Sequence, residues 1–351
     1  MISFYPGPSR IHDKVSVWVQ QAQDQGILSM NHRSAEFVQM TEKTVGLLRK
    51  KLQIPKDYRV YFTNSATECW EMIAQSLIRE KSIHIFNGAF GEKWHAYTRR
   101  IRPEAQAMPF GPEQELDPHT MLFTAGDLIC VTQNETSNGT AVSNKTLGGI
   151  RLSNPQHLIA VDATSSMAGV YLDFRVADCW FASVQKCFGL PAGLGLMICS
   201  PRAVARIHEL NEKDHYNSLT AVDAMMQKWQ TVCTPNVLGI YLLGRVARAM
   251  KKIKATDTKI KKRQARWVRL FRSSKNLQLF IQNAAVQSRT VVTIAGDEHL
   301  IALVKRKARR RGMLLGEGYG SLQATTFRIA NFPALQKKEI TKLERFITTY
   351  L

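Results

Sequence analysis

The chain has 351 residues, 44% hydrophobic and 22% charged. That is enough apolar material for one large or two moderate domains, and it excludes a disordered, collagen-like or disulfide-scaffold protein. The formal charge is +20, with basic residues concentrated in Lys251 to Lys275 and Lys305 to Arg311. No apolar run is long enough to cross a bilayer, and the start, Met1 to Pro8, has neither the basic segment nor the apolar core of a signal peptide.

Taken in chain order, short apolar runs alternate with helical patterns. Arg59–Thr63 predicts a strand, and residues 67–79 a helix. Ser82–Phe86 predicts the next strand, with a helix following through Trp94. Residues 128–132, 158–161, 179–182 and 194–199 continue the series of strands. Alternation of this kind means an α/β fold with a mainly parallel sheet covered by helices, and Leu158-Ile159-Ala160-Val161 has the unbroken apolar character of a strand buried on both faces. A long helix is expected over 237–252, then the basic helix, a strand at 290–294, a helix over 298–311, a strand at 326–329 and a last helix over 333–348. This divides the chain into a large domain over 11–250 and a smaller α+β domain over 251–351, with 1–10 packed near the small domain or the active site.

In the basic stretch Ile253, Ile260, Trp267, Leu270 and Phe271 recur at helical spacing, so the basic residues can take the outer face. No zinc finger, homeodomain or RNA-binding aromatic motif accompanies them. Solvated helix faces are therefore the expectation and nucleic acid is not an expected partner, although a positive field can attract an anionic substrate. Six cysteines stand at 69, 130, 179, 187, 199 and 233 without a CxxC pair, so no metal site or redox motif is signalled. Most lie in apolar runs, which suits a reduced, cytoplasmic protein. The sequons at Asn134 and Asn138 read as chance matches without a secretory signal.

Ligands of open α/β sheets bind beyond the carboxyl ends of the strands. Asp162 ends the strand at 158–161, and Lys186 follows the strand at 179–182 among small and apolar residues, Ser183 to Gly193. Desolvation lowers the pKa of such a lysine, as an imine-forming amine requires. The carboxylate 24 residues upstream suits a neighbouring parallel strand.

With these residues in place, the chain resembles the class V pyridoxal-phosphate-dependent aminotransferases of fold type I, and within them the phosphoserine aminotransferases. The resemblance rests on Phe4-Tyr5-Pro6-Gly7-Pro8, Asn31-His32-Arg33-Ser34, Asn134-Glu135-Thr136, Gln185-Lys186, Pro191-Ala192-Gly193-Leu194-Gly195 and Phe327-Arg328-Ile329. It implies pyridoxal phosphate as cofactor, with Lys186 forming the imine and moving the Cα proton, and Asp162 paired with the pyridine nitrogen. Ala66 and Thr67, in Asn64-Ser65-Ala66-Thr67-Glu68, would supply phosphate donors at a helix start; an ordinary N-cap by Asn64 or Ser65 reads equally well. Phe90 would stack on the ring, Thr136 and Gln185 would contact the cofactor, and Thr234 would reach the partner subunit's phosphate in a homodimer with shared active sites. His32 and Arg33 would bind the substrate's distal anion and Arg328 its α-carboxylate. A second His-Arg pair expected shortly before Arg328 is replaced by Ser321-Leu322, which puts a phosphorylated substrate in question. Phosphoserine with 2-oxoglutarate is the nominal pair, and an alanine–glyoxylate or serine–pyruvate type of reaction is the alternative. A cysteine desulfurase is disfavoured, since no cysteine follows Cys233 and Gln185 stands where histidine normally precedes the lysine.

Overall fold

The structure, a computed structural model, describes residues 1–124, 127–272 and 274–351, so of the basic stretch only residue 273 lies outside the described residues. A seven-stranded sheet forms its centre, in the order Arg59–Thr63, Gly195–Cys199, Cys179–Ser183, Leu158–Asp162, Leu128–Thr132, Ser82–Phe86 and Ala105–Pro109. Only Gly195–Cys199 runs against its neighbours. Five of its strands are buried at every residue, as their largely apolar sequences require of a sheet covered on both faces. The register sets Asp162 beside Thr132 on one side and Phe181 on the other, at the carboxyl edge of the sheet. Lys186 lies three residues past the end of the adjoining strand, so both groups emerge along the same edge.

The helix after the first strand runs Ala66–Ser76, and the next runs Ala89–Ile101. Both pack against the sheet. The sequence reading did not anticipate the edge strand Ala105–Pro109 or the helices Val15–Asp24 and Ala35–Leu52, which pack against Val237–Ala249.

A second sheet has the order Ile2–Phe4, Met313–Glu317, Thr326–Ala330, Val291–Gly296, Leu277–Leu279. The first strand of the chain lies parallel to Met313–Leu315. Buried apolar residues form two clusters, one around each sheet. The helix Ile253–Arg272 joins them: Ile253 and Ile260 belong to the larger, Trp267 and Phe271 to the smaller. Most basic residues of this helix face outward, as its spacing predicted, but Arg263 does not. Arg263 is buried and donates to the carbonyls of Asn331, Phe332 and Leu335 at 3.1, 2.7 and 3.0 Å, and burial lowers its pKa to about 10. Its charge is used to satisfy backbone carbonyls where the two sheets' layers meet, a position that needs donors more than apolar surface. Among the described residues no helix is long and apolar enough to cross a membrane.

Candidate active site

Lys186 is buried, 8% exposed, and its ammonium donates to the carbonyl of Pro6 at 2.6 Å. Burial, and then the positive charge of Arg328, lower its pKa to about 8; Asp162 opposes the shift. A useful fraction of the amine is therefore neutral near pH 8, where an exposed lysine is almost wholly charged. Asp162 is pushed the other way, up to about 6, chiefly by burial and against the hydrogen bond it accepts from the Thr164 N–H at 2.8 Å. No ion pair neutralises Asp162 among the described residues. A buried carboxylate that lacks a cation and faces the strand edge is suited to an incoming ring N–H⁺, and the buried, partly neutral amine is suited to a carbonyl carbon. The donor set therefore fits pyridoxal phosphate.

The N-terminal segment forms one wall. Ser9 donates from its N–H to the Gln185 carbonyl at 3.1 Å, and its hydroxyl reaches the same oxygen at 3.2 Å. Gly7, with φ +152°, lies against the lysine: a Cβ there would come within 2.2 Å of Lys186 Nζ. The clash is with the tip of a flexible side chain, so the amine would be displaced, and the positive φ adds about 1–3 kcal/mol of backbone strain. Gly7→Ala is expected to lower kcat about a hundredfold, the scale of a misplaced reacting group. Its melting temperature should move by only a few degrees, as assay and calorimetry on the same preparation would show.

Phe90 lies in the first turn of the helix Ala89–Ile101, with the Lys186 ammonium 5.9 Å from its ring centre. The helix start is held by Glu135, 1% exposed, which accepts from the N–H groups of Phe90 and Gly91 at 3.2 and 3.1 Å. A carboxylate is stable there because free N–H groups and the helix dipole favour negative charge. Thr136 is buried and its hydroxyl bonds that of Ser165. Its carbonyl accepts from Arg328 Nη1 at 2.7 Å, while Arg328 Nε donates to the Glu317 carbonyl at 2.7 Å. Arg328 is 4% exposed and has no carboxylate partner among the described residues, so it is a poised cation and not half of a structural salt bridge.

At the start of the helix Ala66–Ser76, Ser65 is the N-cap, accepting from the Glu68 N–H at 3.0 Å. The Ala66 N–H already donates to Ser183 Oγ at 2.8 Å, and Thr67 is exposed. Gln185 is half-buried, with its side-chain oxygen unpaired.

Three predicted site residues are not joined to this network. His32 is half-buried against Phe37, Arg33 is exposed and donates to Gln230 Oε1 at 2.9 Å, and Thr234 is exposed in the segment after Gln230. That segment borders a hollow with Asn64 and Glu68. Among the described residues none of the three makes a hydrogen bond or ion pair with Lys186, Asp162 or Arg328. The sequence reading in turn gave no role to Pro6 O, Ser165, Ser183 or the Glu135 carboxylate. All four act through partners distant in the chain and carry no local signature.

An α/β sheet that delivers a depressed lysine and a bare buried acid to one edge suits pyridoxal-phosphate chemistry, and the comparisons with known proteins give the class of enzyme. The chain belongs to the aminotransferase class V family, whose model matches residues 6–331. It is 28% identical to a phosphoserine aminotransferase of Corynebacterium glutamicum over 96% of this chain and 91% of that one. It is 26% identical to that of Rhodococcus opacus, over 92% and 87%. Among solved structures, a phosphoserine aminotransferase from Cytophaga hutchinsonii superposes over 100% of this chain and 99% of the other, with a TM-score of 0.95 and 31% identity. Its substrates are accordingly an amino acid and a 2-oxo acid.

Proposed function

We propose that the protein is a phosphoserine:2-oxoglutarate aminotransferase of serine biosynthesis, acting as a cytoplasmic homodimer with shared active sites. The observation that carries the transaminase chemistry is the buried Lys186 amine, depressed to about 8 and in electrostatic reach of Asp162 and Arg328. The choice of phosphoserine is supported by the names of relatives that match nearly the whole chain.

Pyridoxal phosphate, when bound, supplies an electron sink and carries the amino group between two substrates in ping-pong fashion. Asp162 would hold a proton on the ring nitrogen. Lys186 would hold the cofactor through its amine and would take and return the substrate Cα proton. Phe90 would lie beside the ring, Thr136 and Gln185 would offer polar contacts, and the helix start at Ala66 and Thr67, where the Ala66 N–H donates to Ser183 Oγ, would receive the phosphate. Arg328 binds the α-carboxylate through its planar fork. His32, Arg33 and Thr234, which among the described residues make no hydrogen bond or ion pair with Lys186, Asp162 or Arg328 of their own chain, would complete the partner's site in the dimer. The large domain over 11–250 carries the cofactor and the small one over 251–351 carries Arg328. A reduced compartment suits the five cysteines that are buried and free.

Ser321-Leu322 supports a second reading, a class V transaminase for an uncharged small amino acid, because neither residue supplies the cationic pair seen in the resemblance. A half-reaction panel separates the two. Holoprotein mixed with single amino acids should lose its colour fastest with phosphoserine. Equal or faster loss with serine or alanine would move the assignment to the second reading.

A further inference from the structure

Most of the +20 charge is unused by the site described above, and it is unevenly placed. Residues 251–351 hold 23 lysines and arginines against six aspartates and glutamates, so the small domain carries nearly all of it. Spacing alone leaves these side chains on solvated helix faces. The fold gathers five of them, Arg311, Lys337, Lys338, Lys342 and Arg345, around one hollow of about 720 Å³. No aspartate or glutamate lines it, and none of the five cations is in an ion pair among the described residues. The two glutamates of the helix Lys337–Thr348 are engaged elsewhere, Glu339 by Arg10 and Glu344 by Arg266. Lys338, Lys342 and Arg345 recur at helical spacing on one face, a row about 10 Å long. Lys337 and Lys338 stand in the first turn, where the helix dipole disfavours a cation, so helix stability does not account for them. Arg311 joins them from the end of the helix Glu298–Arg310, its guanidinium 5.2 Å from the ring centre of Phe346.

We propose that this hollow is the centre of a docking surface for double-stranded nucleic acid, held by its phosphate backbone without regard to sequence. Unpaired cations on rigid helices, with no acid among them, complement a row of phosphates. None of the exposed large apolar side chains among the described residues falls within 251–351. The surface therefore offers no aromatic platform for the bases of a single strand and no apolar wedge for a lipid layer. A duplex backbone is the polyanion that needs neither. The hollow is also separate from the active site. Met313 lines it at the start of the strand Met313–Glu317, while the Glu317 carbonyl at the other end of that strand accepts from Arg328. The two places are thus about 13 Å apart along the strand, and the surface does not depend on the transaminase reading.

The test is fluorescence anisotropy of the holoprotein with labelled duplexes of about 20 base pairs, one of DNA and one of RNA, at about 0.15 M salt. The wild type should bind with a Kd of about 1–10 µM, equally for two unrelated sequences, and weaken steeply as salt rises. The tighter of the two duplexes identifies the source of the backbone. The combined variant Lys337→Gln, Lys338→Gln, Lys342→Gln, Arg345→Gln should bind about tenfold more weakly or worse, with a logarithmic salt slope smaller by about three to four. The combined variant Lys56→Gln, Lys145→Gln, Lys213→Gln, Lys228→Gln removes the same charge from exposed positions of the large domain, and its affinity should stay within about twofold of the wild type. Equal losses in both variants would reduce the effect to net charge and overturn the surface. Wild-type binding weaker than about 100 µM would overturn it too, as would tighter binding to vesicles of anionic phospholipid than to either duplex. Amine acetylation of the wild type, mapped by mass spectrometry with and without duplex, tests the same point without a variant. Lys337, Lys338 and Lys342 should be protected while Lys56, Lys145, Lys213 and Lys228 are not, and labelling unchanged by the duplex would overturn the proposal.

Discussion

Lys186→Ala is expected to lower transamination by about ten thousandfold or more and to yield a protein that loses its colour on dialysis. The residue has two tasks, covalent attachment and proton transfer at the substrate carbon, and the second alone is commonly worth about a hundred to ten thousandfold. Among the described residues no other lysine is buried. Lys93, one turn after Phe90, is exposed, tied to Tyr319 and has its pKa raised, the opposite of what a nucleophilic amine needs. The fold should tolerate the change, because alanine removes an amine that burial already disfavours as a cation. A variant that keeps a tenth of wild-type turnover while remaining coloured would remove Lys186 from the mechanism.

Asp162→Asn is expected to separate activity from stability. An amide cannot hold a proton on the ring nitrogen, so turnover should fall by about a hundredfold or more, the lower end for loss of a charged group at a reacting centre. Without cofactor, the same change should stabilise the protein. The folded-state pKa of Asp162, about 6, lies above the unfolded value, so folding favours the protonated acid. Its stabilising contribution is full below the unfolded pKa and is lost as pH rises through about 6. At neutral pH the wild type therefore carries an ionised, buried carboxylate at a cost of the order of 3 kcal/mol, which asparagine avoids while its Oδ1 can still accept the Thr164 N–H. Thermal melts of the cofactor-free proteins should show the variant melting higher at pH 7.5 and the gap closing toward pH 4. A variant that melts lower at every pH would contradict this, and so would one with unimpaired turnover.

The legible parts of the fold were those whose signal is local. Leu128–Thr132, Leu158–Asp162 and Cys179–Ser183 are buried on both faces, so their sequences are apolar throughout and stand out from the helical patterns. The edge strand Ala105–Pro109 is exposed at Gln106, Ala107 and Pro109, so it lacks that signature. Ile2–Phe4 is three residues long and becomes a strand only by pairing with Met313–Leu315 at the other end of the chain. The site divides in the same way. Asp162, Lys186 and Arg328 were legible because a charge beside or within an apolar strand is costly and therefore conspicuous. The Pro6 carbonyl on Lys186 and the Glu135 carboxylate under Phe90 and Gly91 were not, since each acquires its role from a segment 180 or about 45 residues away. Arg263 was misread for a related reason. Among so many outward lysines and arginines, nothing in the sequence marks the one that turns inward to three carbonyls.

The most direct measurement is reductive trapping. The protein is loaded with pyridoxal phosphate, treated with borohydride, digested and mapped by mass spectrometry. The cofactor's mass is expected on the peptide containing Lys186 at close to one per chain, with the yield collapsing in Lys186→Ala. Modification centred on another lysine, or none above the background of exposed lysines, would contradict the assignment.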